Sequence, residues 1–280
     1  MKKITRRSFL AAAGLTAAAL ALTACGGSSS STASSTASSA AASSEAASSS
    51  AAADLTTVEA GKLTMATNAA FPPYEMTTDA GAFEGIDIET AQAIADKLGL
   101  ELQIDDMDFD AALLSVQQGK ADIVMAGVTV TDERKNVMDF SDSYATGIQS
   151  IIVPEGSDIA SPDDLAGKKI GTQRGTTGYI YCSDDFGDDA VVAYDDGLTA
   201  VQALNNGQVD AVVIDNAPAK EFVAANPGLV ILDTSYAEED YAIGMAKGNT
   251  ALEDAVNAAL EELKADGTLQ SIVDKYIVAE

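Results

Sequence analysis

The segment 125–142 contains residue types that suit the binding of a small anion. It runs from the end of an apolar stretch through Gly127 and Thr129 to Thr131 and Arg134. Thr131 is a typical helix N-cap, and the two acidic residues after it suit a first helical turn. The Thr129 hydroxyl, the N–H groups near Gly127 and the guanidinium would then lie close together. Arginine binds carboxylates through paired hydrogen bonds, so the segment predicts a carboxylate site, the alternative being a surface ion pair of Arg134.

The composition excludes several kinds of chemistry. The chain has no histidine, so catalysis by imidazole and histidine-ligated metal sites are excluded. Its two cysteines are Cys25 and Cys182, and if Cys25 is lipidated, neither an intramolecular disulfide nor a cysteine-based metal site can form. The net charge of −27 argues against nucleic acid and anionic membrane surfaces as partners. We therefore expect no metal and no cofactor.

The N-terminus has the pattern of an export signal. Four basic residues precede the uncharged apolar run Phe9–Ala24, which ends in small residues before Cys25. This pattern resembles a bacterial lipoprotein signal over residues 1–24, with cleavage before Cys25 and lipid on its sulfur. The pair Arg6-Arg7 leaves the general and the twin-arginine export routes both open. Residues 25–59 are rich in Ser and Ala, which predicts a disordered tether with a coil dimension of about 30 Å.

The rest of the chain alternates between strand and helix patterns. A strand at 62–67 is followed by a loop at 68–74, because two adjacent prolines interrupt regular structure. Further strands are predicted near 101–105, 123–125, 148–153, 169–173, 190–193, 211–214, 229–232 and 241–245. Helices are predicted near 88–98, 108–118, 161–165, 198–205, 218–224, 251–265 and 269–278, with another beginning at 179. The alternation predicts two α/β units built on parallel sheets.

Two segments join the predicted halves, near 147–153 and 236–243. A chain that enters a second lobe and returns to complete the first makes two crossings. Two crossings form a hinge, and the cleft between such lobes is a natural ligand site.

From about residue 62 to 276, the chain resembles the extracytoplasmic solute-binding proteins of polar amino-acid ABC importers, especially the glutamine, histidine and lysine-arginine-ornithine binders. The resemblance lies in the order and spacing of seven motifs: Phe71-Pro72-Pro73-Tyr74-Glu75, Phe83-Glu84-Gly85-Ile86-Asp87, Asp108-Phe109-Asp110-Ala111, Ala126 to Arg134, Asp139-Phe140-Ser141, Gly175-Thr176-Thr177-Gly178 and Val209-Asp210-Ala211-Val212.

The resemblance implies a two-lobed, periplasmic-binding-protein-like α/β fold of type II. Each lobe would be an α/β sandwich, and two strands would form the hinge. Lobe 1 would comprise residues 60–148 and 242–280, and lobe 2 would comprise residues 149–241, hinge strands included.

The resemblance also implies how the ligand is held. Arg134 would bind the ligand α-carboxylate with Thr129 and the N–H of Thr177, and Asp215 would bind the α-ammonium with the Gly127 carbonyl. Burying a zwitterion costs several kcal/mol per charge unless each charge is paired. With the cation and the anion in different lobes, ligand binding would favour the closed state.

Four more residues complete the site that the resemblance implies. Phe71 and Phe109 would enclose the ligand side chain, and Asn68 and Gln173 would contact its tip. Relatives often have Asp where Asn68 stands, and Lys or an apolar residue where Gln173 stands. Both departures favour a neutral polar side chain over a cationic one.

Simpler alternatives exist for several of these residues. Asp215 can be a helix N-cap, and Phe71 and Phe109 can be core residues. The turn 175–178 precedes a helix and can bind phosphate, but it lacks the lysine and spacing of a P-loop. The acidic segment 106–110 is similar to a calcium loop but lacks its essential glycine and glutamate.

The expected function is that of the substrate-binding component of an amino-acid ABC importer. The protein would be a lipid-anchored monomer on the extracytoplasmic face of the cell membrane, delivering a polar L-amino acid to the permease. The alternatives are a dehydratase-like enzyme on the same scaffold and an amino-acid sensing module. We expect no enzymatic activity, because a catalyst would need an acid or base free to act near the ligand.

Overall fold

The computed structural model describes residues 55–277. The predicted signal, Cys25 and the tether up to residue 54 lie outside the described residues. The strands are β1 (Lys62–Thr67), β2 (Ala70–Phe71), β3 (Glu75–Thr77), β4 (Phe83–Glu84), β5 (Glu101–Asp106), β6 (Ile123–Val124), β7 (Met138–Phe140), β8 (Ala145–Pro154), β9 (Ile170–Gln173), β10 (Val191–Tyr194), β11 (Ala211–Asp215), β12 (Leu229–Ile231), β13 (Ala237–Tyr241) and β14 (Gly244–Ala246).

The helices are α1 (Ile86–Leu98), α2 (Phe109–Gln117), α3 (Asp132–Val137), α4 (Thr177–Phe186), α5 (Gly197–Asn205), α6 (Asn216–Ala225), α7 (Thr250–Ala265) and α8 (Thr268–Tyr276). Two short 3-10 helices lie at Pro162–Leu165 and Asp188–Ala190.

Lobe 1 is built on the sheet β5-β1-β6-β14-β7. Leu63 and Met65 of β1 belong to one apolar core, to which α1, α7 and α8 also contribute, while Ala66 belongs to a second core, shared with α2. A strand with apolar contacts on both faces is typical of a sheet between two helical layers. The expected parallel sheet is only partly present, because β14 pairs antiparallel with β6 and β7.

Lobe 2 is built on the sheet β10-β9-β11-β8-β12, with β13 also paired to β8. Along β11, Val212 and Ile214 enter one apolar core, and Ala211 and Val213 enter the other. β8 is antiparallel to β11, so this sheet is also mixed and not parallel as expected. β11 ends at Asp215, which places that residue at the carboxyl end of a central strand of the sheet.

β8 and β13 form the two-stranded connection between the lobes. They pair antiparallel from Ala145–Tyr241 to Gln149–Ala237. The expected single strand at 241–245 is wrong: β13 ends at Tyr241, and β14 begins at Gly244 in the other sheet. The chain thus crosses twice, and the two-lobed α/β fold is confirmed.

Two further segments differ from expectation. The predicted loop at 68–74 contains β2, which forms a small antiparallel sheet with β3 and β4. Residues 55–59, placed in the tether, contact lobe 1: Leu55 packs against its core, and the Val58 N–H donates to Asp122 Oδ1 at 2.7 Å. Among residues 55–277, no helix combines the length and apolarity needed to cross a membrane.

Candidate ligand-binding site

A cavity between the lobes brings together every residue that the sequence predicted for the site. It lies against both sheets. All nine predicted residues line it, namely Asn68, Phe71, Phe109, Gly127, Thr129, Arg134, Gln173, Thr177 and Asp215. Additional lining residues include Glu75, Gln149 and Tyr241.

Arg134 is buried in the cleft, with 8% of its surface exposed. The Thr131 hydroxyl caps α3 by accepting the Arg134 N–H at 3.1 Å. This cap fixes the backbone position from which the Arg134 side chain extends. The guanidinium donates to Thr129 O at 2.8 Å and across the cleft to Gly175 O at 3.1 Å. It also lies 5.4 Å from the centre of the Phe109 ring.

The Arg134 guanidinium lacks a counter-ion within the described part of the chain. No carboxylate oxygen of residues 55–277 lies within 4.0 Å of it. Burial lowers the pKa of Arg134, and the nearby charge of Glu239 partly opposes this shift. The alternative of a surface ion pair is wrong, and the site can accept an anion.

The first turn of α4 faces the same cavity. Thr176 caps this helix by accepting the Tyr179 N–H at 3.3 Å. The N–H of Thr177, at the first helical position, has no partner among residues 55–277. Free N–H groups and the helix dipole make such a terminus favourable for negative charge. Arg134 and Thr177 therefore offer donors from opposite lobes.

Asp215 is the acidic residue that faces the cavity from lobe 2. Its Oδ1 accepts the Ala217 N–H at 3.0 Å, and its Oδ2 accepts the Ile148 N–H at 2.8 Å. The N-cap alternative is therefore confirmed, because Asp215 caps α6, and the same carboxylate also lines the cavity. Burial raises the pKa of Asp215 to about 6, although hydrogen bonds from Tyr241 and the backbone oppose the shift.

Two aromatic residues form apolar walls of the cavity. The Phe71 ring stacks on Tyr74 with centroids 5.8 Å apart and lies against Gly127, where an added Cβ would come within 2.8 Å of it. Gly127 has φ +55°, a conformation that favours glycine. Phe109 is 6% exposed and belongs to the apolar core of lobe 1 as well as to the cavity wall.

Asn68 and Gln173 meet across the cleft. The Gln173 Nε2 donates to Asn68 Oδ1 at 2.9 Å and to Asp195 O at 3.2 Å. The Asn68 Nδ2 donates to Met107 O at 2.9 Å. This boundary of the cavity is polar and uncharged.

Glu239, beside the cleft, is one of several residues that sequence reasoning missed, together with Glu75, Gln149 and Tyr241 of the cavity lining. The Glu239 Oε2 accepts from the hydroxyls of Thr129 and Thr177 and from the Gln149 amide, each at 3.0 Å. It lies in the acidic run 238–240, which as a sequence suggests a solvated surface. The alternation of β13 was the available signal, because it turns only the middle acid inward.

A buried pair of acids, Glu75 and Asp87, supports the Gly127 turn. Asp87 Oδ2 accepts the Gly127 N–H at 3.0 Å and the Tyr144 hydroxyl at 2.8 Å. Burial raises the pKa of Asp87 to about 6 and that of Glu75 well above its ordinary value. Burial and the neighbouring Asp87 carboxylate therefore both favour the neutral form of Glu75.

Cys182 lies outside the cleft and has no part in the site. Cys182 is fully buried, and burial raises the pKa of its thiol to about 12, which is typical of an inert core cysteine. Within residues 55–277, no group of three or more potential metal ligands is present.

Comparisons with known proteins agree with this architecture. The L-cystine-binding protein TcyJ of Escherichia coli K12 is 34% identical over 226 residues, covering 79% of this chain and 85% of TcyJ. An ancestral arginine-binding protein bound to glutamine is 42% identical with a TM-score of 0.75, covering 78% of this chain and 99% of that one. The arginine-, lysine-, histidine-binding protein ArtJ of Geobacillus stearothermophilus is 33% identical with a TM-score of 0.75. The match covers 78% of this chain and 96% of ArtJ.

Each of these proteins is named for binding an amino acid, and each matches nearly the whole two-lobed part of the chain. A family model matches residues 63–279, which include every residue of the cavity. The chain belongs to the bacterial extracellular solute-binding proteins, family 3.

Proposed function

We propose that this protein captures a polar L-amino acid between its lobes and delivers it to the permease of an ABC importer. The observation that supports this most strongly is a pair of buried, opposite charges in one cavity. Arg134 comes from lobe 1 and Asp215 from lobe 2, and among residues 55–277 neither makes an ion pair.

A zwitterion is the ligand that neutralises both charges. Its carboxylate would meet Arg134 and the Thr177 N–H, and its ammonium would meet Asp215 and the Gly127 carbonyl. Buried charges are costly when unpaired, so the ligand-free closed state is penalised twice, and one α-amino acid relieves both penalties. Phe71 and Phe109 would then enclose the side chain of the ligand.

The proposed ligand has a neutral polar side chain. Asn68 and Gln173 are both amides, and each can act as donor and acceptor toward a polar group. The relatives include proteins named for neutral and for cationic amino acids, so the scaffold itself accommodates both classes.

The protein would act by binding and not as an enzyme. Asp215 would be occupied by the ammonium, and Glu239 already accepts three hydrogen bonds. Neither is free to act as a general base, and imidazole is absent from the sequence.

The proposed location is the extracytoplasmic face of the cell membrane. Cys25, at the predicted cleavage site, would bear the lipid, and the tether would let a monomeric two-lobed domain reach the permease. Replacing Cys25 with Ser should release the protein from the membrane fraction.

A ligand screen tests the proposed function. Thermal shift and calorimetry on the mature chain would cover the twenty amino acids, ornithine and cystine. We expect stabilisation by one or a few L-amino acids, with 1:1 stoichiometry and no product formed. Stabilisation by none of them would refute the function, and full binding in both Arg134→Ala and Asp215→Ala would refute the site.

A further inference from the structure

Glu239 occupies an unusual position at the base of the cleft. The residue is buried, with 6% of its surface exposed. One carboxylate oxygen, Oε2, accepts hydrogen bonds from three neighbouring side chains, Thr129, Gln149 and Thr177. The other oxygen, Oε1, is buried, and burial together with the Glu239 carboxylate raises the pKa of the neighbouring Tyr181 hydroxyl. A buried carboxylate depends on hydrogen bonds from the protein, because it has little contact with water. The three donors to Oε2 therefore fix the position of Glu239.

The three donors come from both sides of the cleft. Thr129 follows β6 of lobe 1, whereas Gln149 and Thr177 belong to β8 and α4 of lobe 2. Glu239 itself lies on β13, one of the two strands that connect the lobes. The hydroxyl oxygens of Thr129 and Thr177 are 3.5 Å apart. Both hydroxyls reach the same carboxylate oxygen in this structure, and Thr129 also pairs with Tyr241 at the end of β13.

We propose that Glu239 is a positioning residue that latches the closed cleft by accepting hydrogen bonds from Thr129 of one lobe and Thr177 of the other. The latch consists only of side chains of the protein. This proposal rests on the proposed function in one respect, namely that closure of the cleft serves to capture the ligand.

The positions of the hydroxyl protons follow from this arrangement. A threonine hydroxyl has one proton to donate, and an ionised carboxylate is only an acceptor. While Thr129 and Thr177 donate to Glu239, they present lone pairs elsewhere and cannot also donate to a ligand carboxylate. The donors left for that carboxylate are Arg134 and the Thr177 N–H. Thr129 then acts on closure and not directly on the ligand, which revises the role that the family resemblance implies for it.

The competing explanation is that Glu239 serves as the counter-ion of Arg134. Geometry favours the latch. No carboxylate oxygen of residues 55–277 lies within 4.0 Å of the Arg134 guanidinium, whereas three uncharged donors lie 3.0 Å from Glu239 Oε2. The two explanations predict opposite effects. Removing a latch weakens ligand binding, whereas removing a competing anion beside Arg134 strengthens it.

The experiment compares Glu239→Ala, Glu239→Gln and Thr129→Val in the mature chain. Glu238→Ala is the matched control, because Glu238 is the exposed neighbour on the same strand. Spin labels on the two lobes report the closed fraction, with and without ligand. Calorimetry with L-glutamine, L-cystine and L-arginine reports affinity.

We expect Glu239→Ala to lower the closed fraction and to weaken binding about 10- to 100-fold, the range for loss of a hydrogen bond to a charged group. Glu239→Gln keeps an acceptor oxygen and should restore most of the closed fraction. Thr129→Val should lower the closed fraction as Glu239→Ala does, and Glu238→Ala should match the parent protein.

Tighter binding in Glu239→Ala or Glu239→Gln would overturn the proposal, and so would an unchanged closed fraction in Glu239→Ala and Thr129→Val. If the parent protein binds none of the three amino acids, only the choice of ligand fails. The closed fraction of the ligand-free variants still tests the latch, so the two failures are distinguishable.

Discussion

Replacing Asp215 with Asn removes one charge from the cavity and leaves the shape of the side chain almost unchanged. The asparagine oxygen can still accept the Ala217 N–H, and Asn is also a good N-cap. The amide nitrogen, however, would face the Ile148 N–H, which now donates to Asp215 Oδ2 at 2.8 Å. The substitution therefore tests the charge while preserving the start of α6.

The expected effects on binding and on stability differ greatly in size. Removing one partner from a buried ion pair costs about 3–5 kcal/mol, so amino-acid affinity should fall roughly 100-fold to several thousand-fold. In the ligand-free protein, the pKa of Asp215 is raised from 3.8 to about 6. A raised acid pKa means that the ionised form disfavours folding, by on the order of 3 kcal/mol at pH 7.

Loss of that penalty offsets the lost Ile148 hydrogen bond, which is worth about 1–3 kcal/mol. We therefore expect ligand-free stability to change by no more than about 2 kcal/mol while ligand binding nearly disappears. Urea unfolding without ligand and calorimetry with ligand measure the two quantities separately.

Asp196→Asn is the matched control for this experiment. Asp196 caps α5 in the same lobe by accepting the Thr199 N–H at 2.7 Å, but it is only half-buried and does not line the cavity. It should leave affinity unchanged. Retention of parental affinity in Asp215→Asn would refute the assignment of the ammonium site. Equal losses in both variants would show that capping, and not charge, is responsible.

Three further predictions concern the same cavity. Arg134→Lys keeps the charge but loses the paired geometry of the guanidinium, so calorimetry should show affinity about 10- to 100-fold lower; unchanged affinity would refute a carboxylate bound by two parallel hydrogen bonds. Affinity should fall by up to tenfold per pH unit below about pH 6, because the ammonium needs Asp215 ionised and burial raises the pKa of that carboxyl to about 6; a titration that is flat from pH 7 to 5 would contradict this. Asn68→Asp places an anion opposite Gln173 and should increase the ratio of arginine to glutamine affinity at least tenfold; competition binding measures the ratio, and an unchanged ratio would show that Asn68 does not contact the ligand side chain.

Much of the fold and the cavity could be predicted because local patterns determine them. Thr131 is an N-cap by residue type, and the structure places Arg134 N at 3.1 Å from its hydroxyl oxygen. Most helix and strand bounds in the structure lie within two residues of those predicted. Helix caps and the bounds of helices and strands depend mainly on residues that are close in sequence, so the sequence alone predicts them.

Pairing between distant segments was harder to predict. β14 joins β6 and β7 in antiparallel fashion after the chain returns from lobe 2, and no local pattern records that direction. Residues 241–245 have the pattern of one continuous strand. In the structure, however, Tyr241 ends β13 in one sheet and Gly244 begins β14 in the other. A run of strand-forming residues predicts extended backbone but not its partner.

The buried acids were missed for a different physical reason. Glu75, Asp87 and Glu239 have the residue type expected at a surface, and for Asp87 and Glu239 hydrogen-bond donors make burial tolerable. Those partners are remote: Asp87 binds the Gly127 N–H, and Glu239 binds Thr129 and Thr177. Sequence reasoning identified the donors but not the acid that organises them.

The placement of Arg134 and Asp215 in different lobes links affinity to closure. If both charges stood in one lobe, the ligand could bind the open protein fully, and closure would add only apolar contacts. With the charges divided, either lobe alone pairs one charge and leaves the other end of the zwitterion in water. Full pairing needs the closed cleft. A shift in the closed fraction from 1:99 to 99:1 requires about 5.5 kcal/mol of differential binding, and two charge-assisted contacts of roughly 1.5–3 kcal/mol each can supply it. A ligand lacking either charge would fall short of that threshold, so the proposed roles of Arg134 and Asp215 would make closure selective for amino acids.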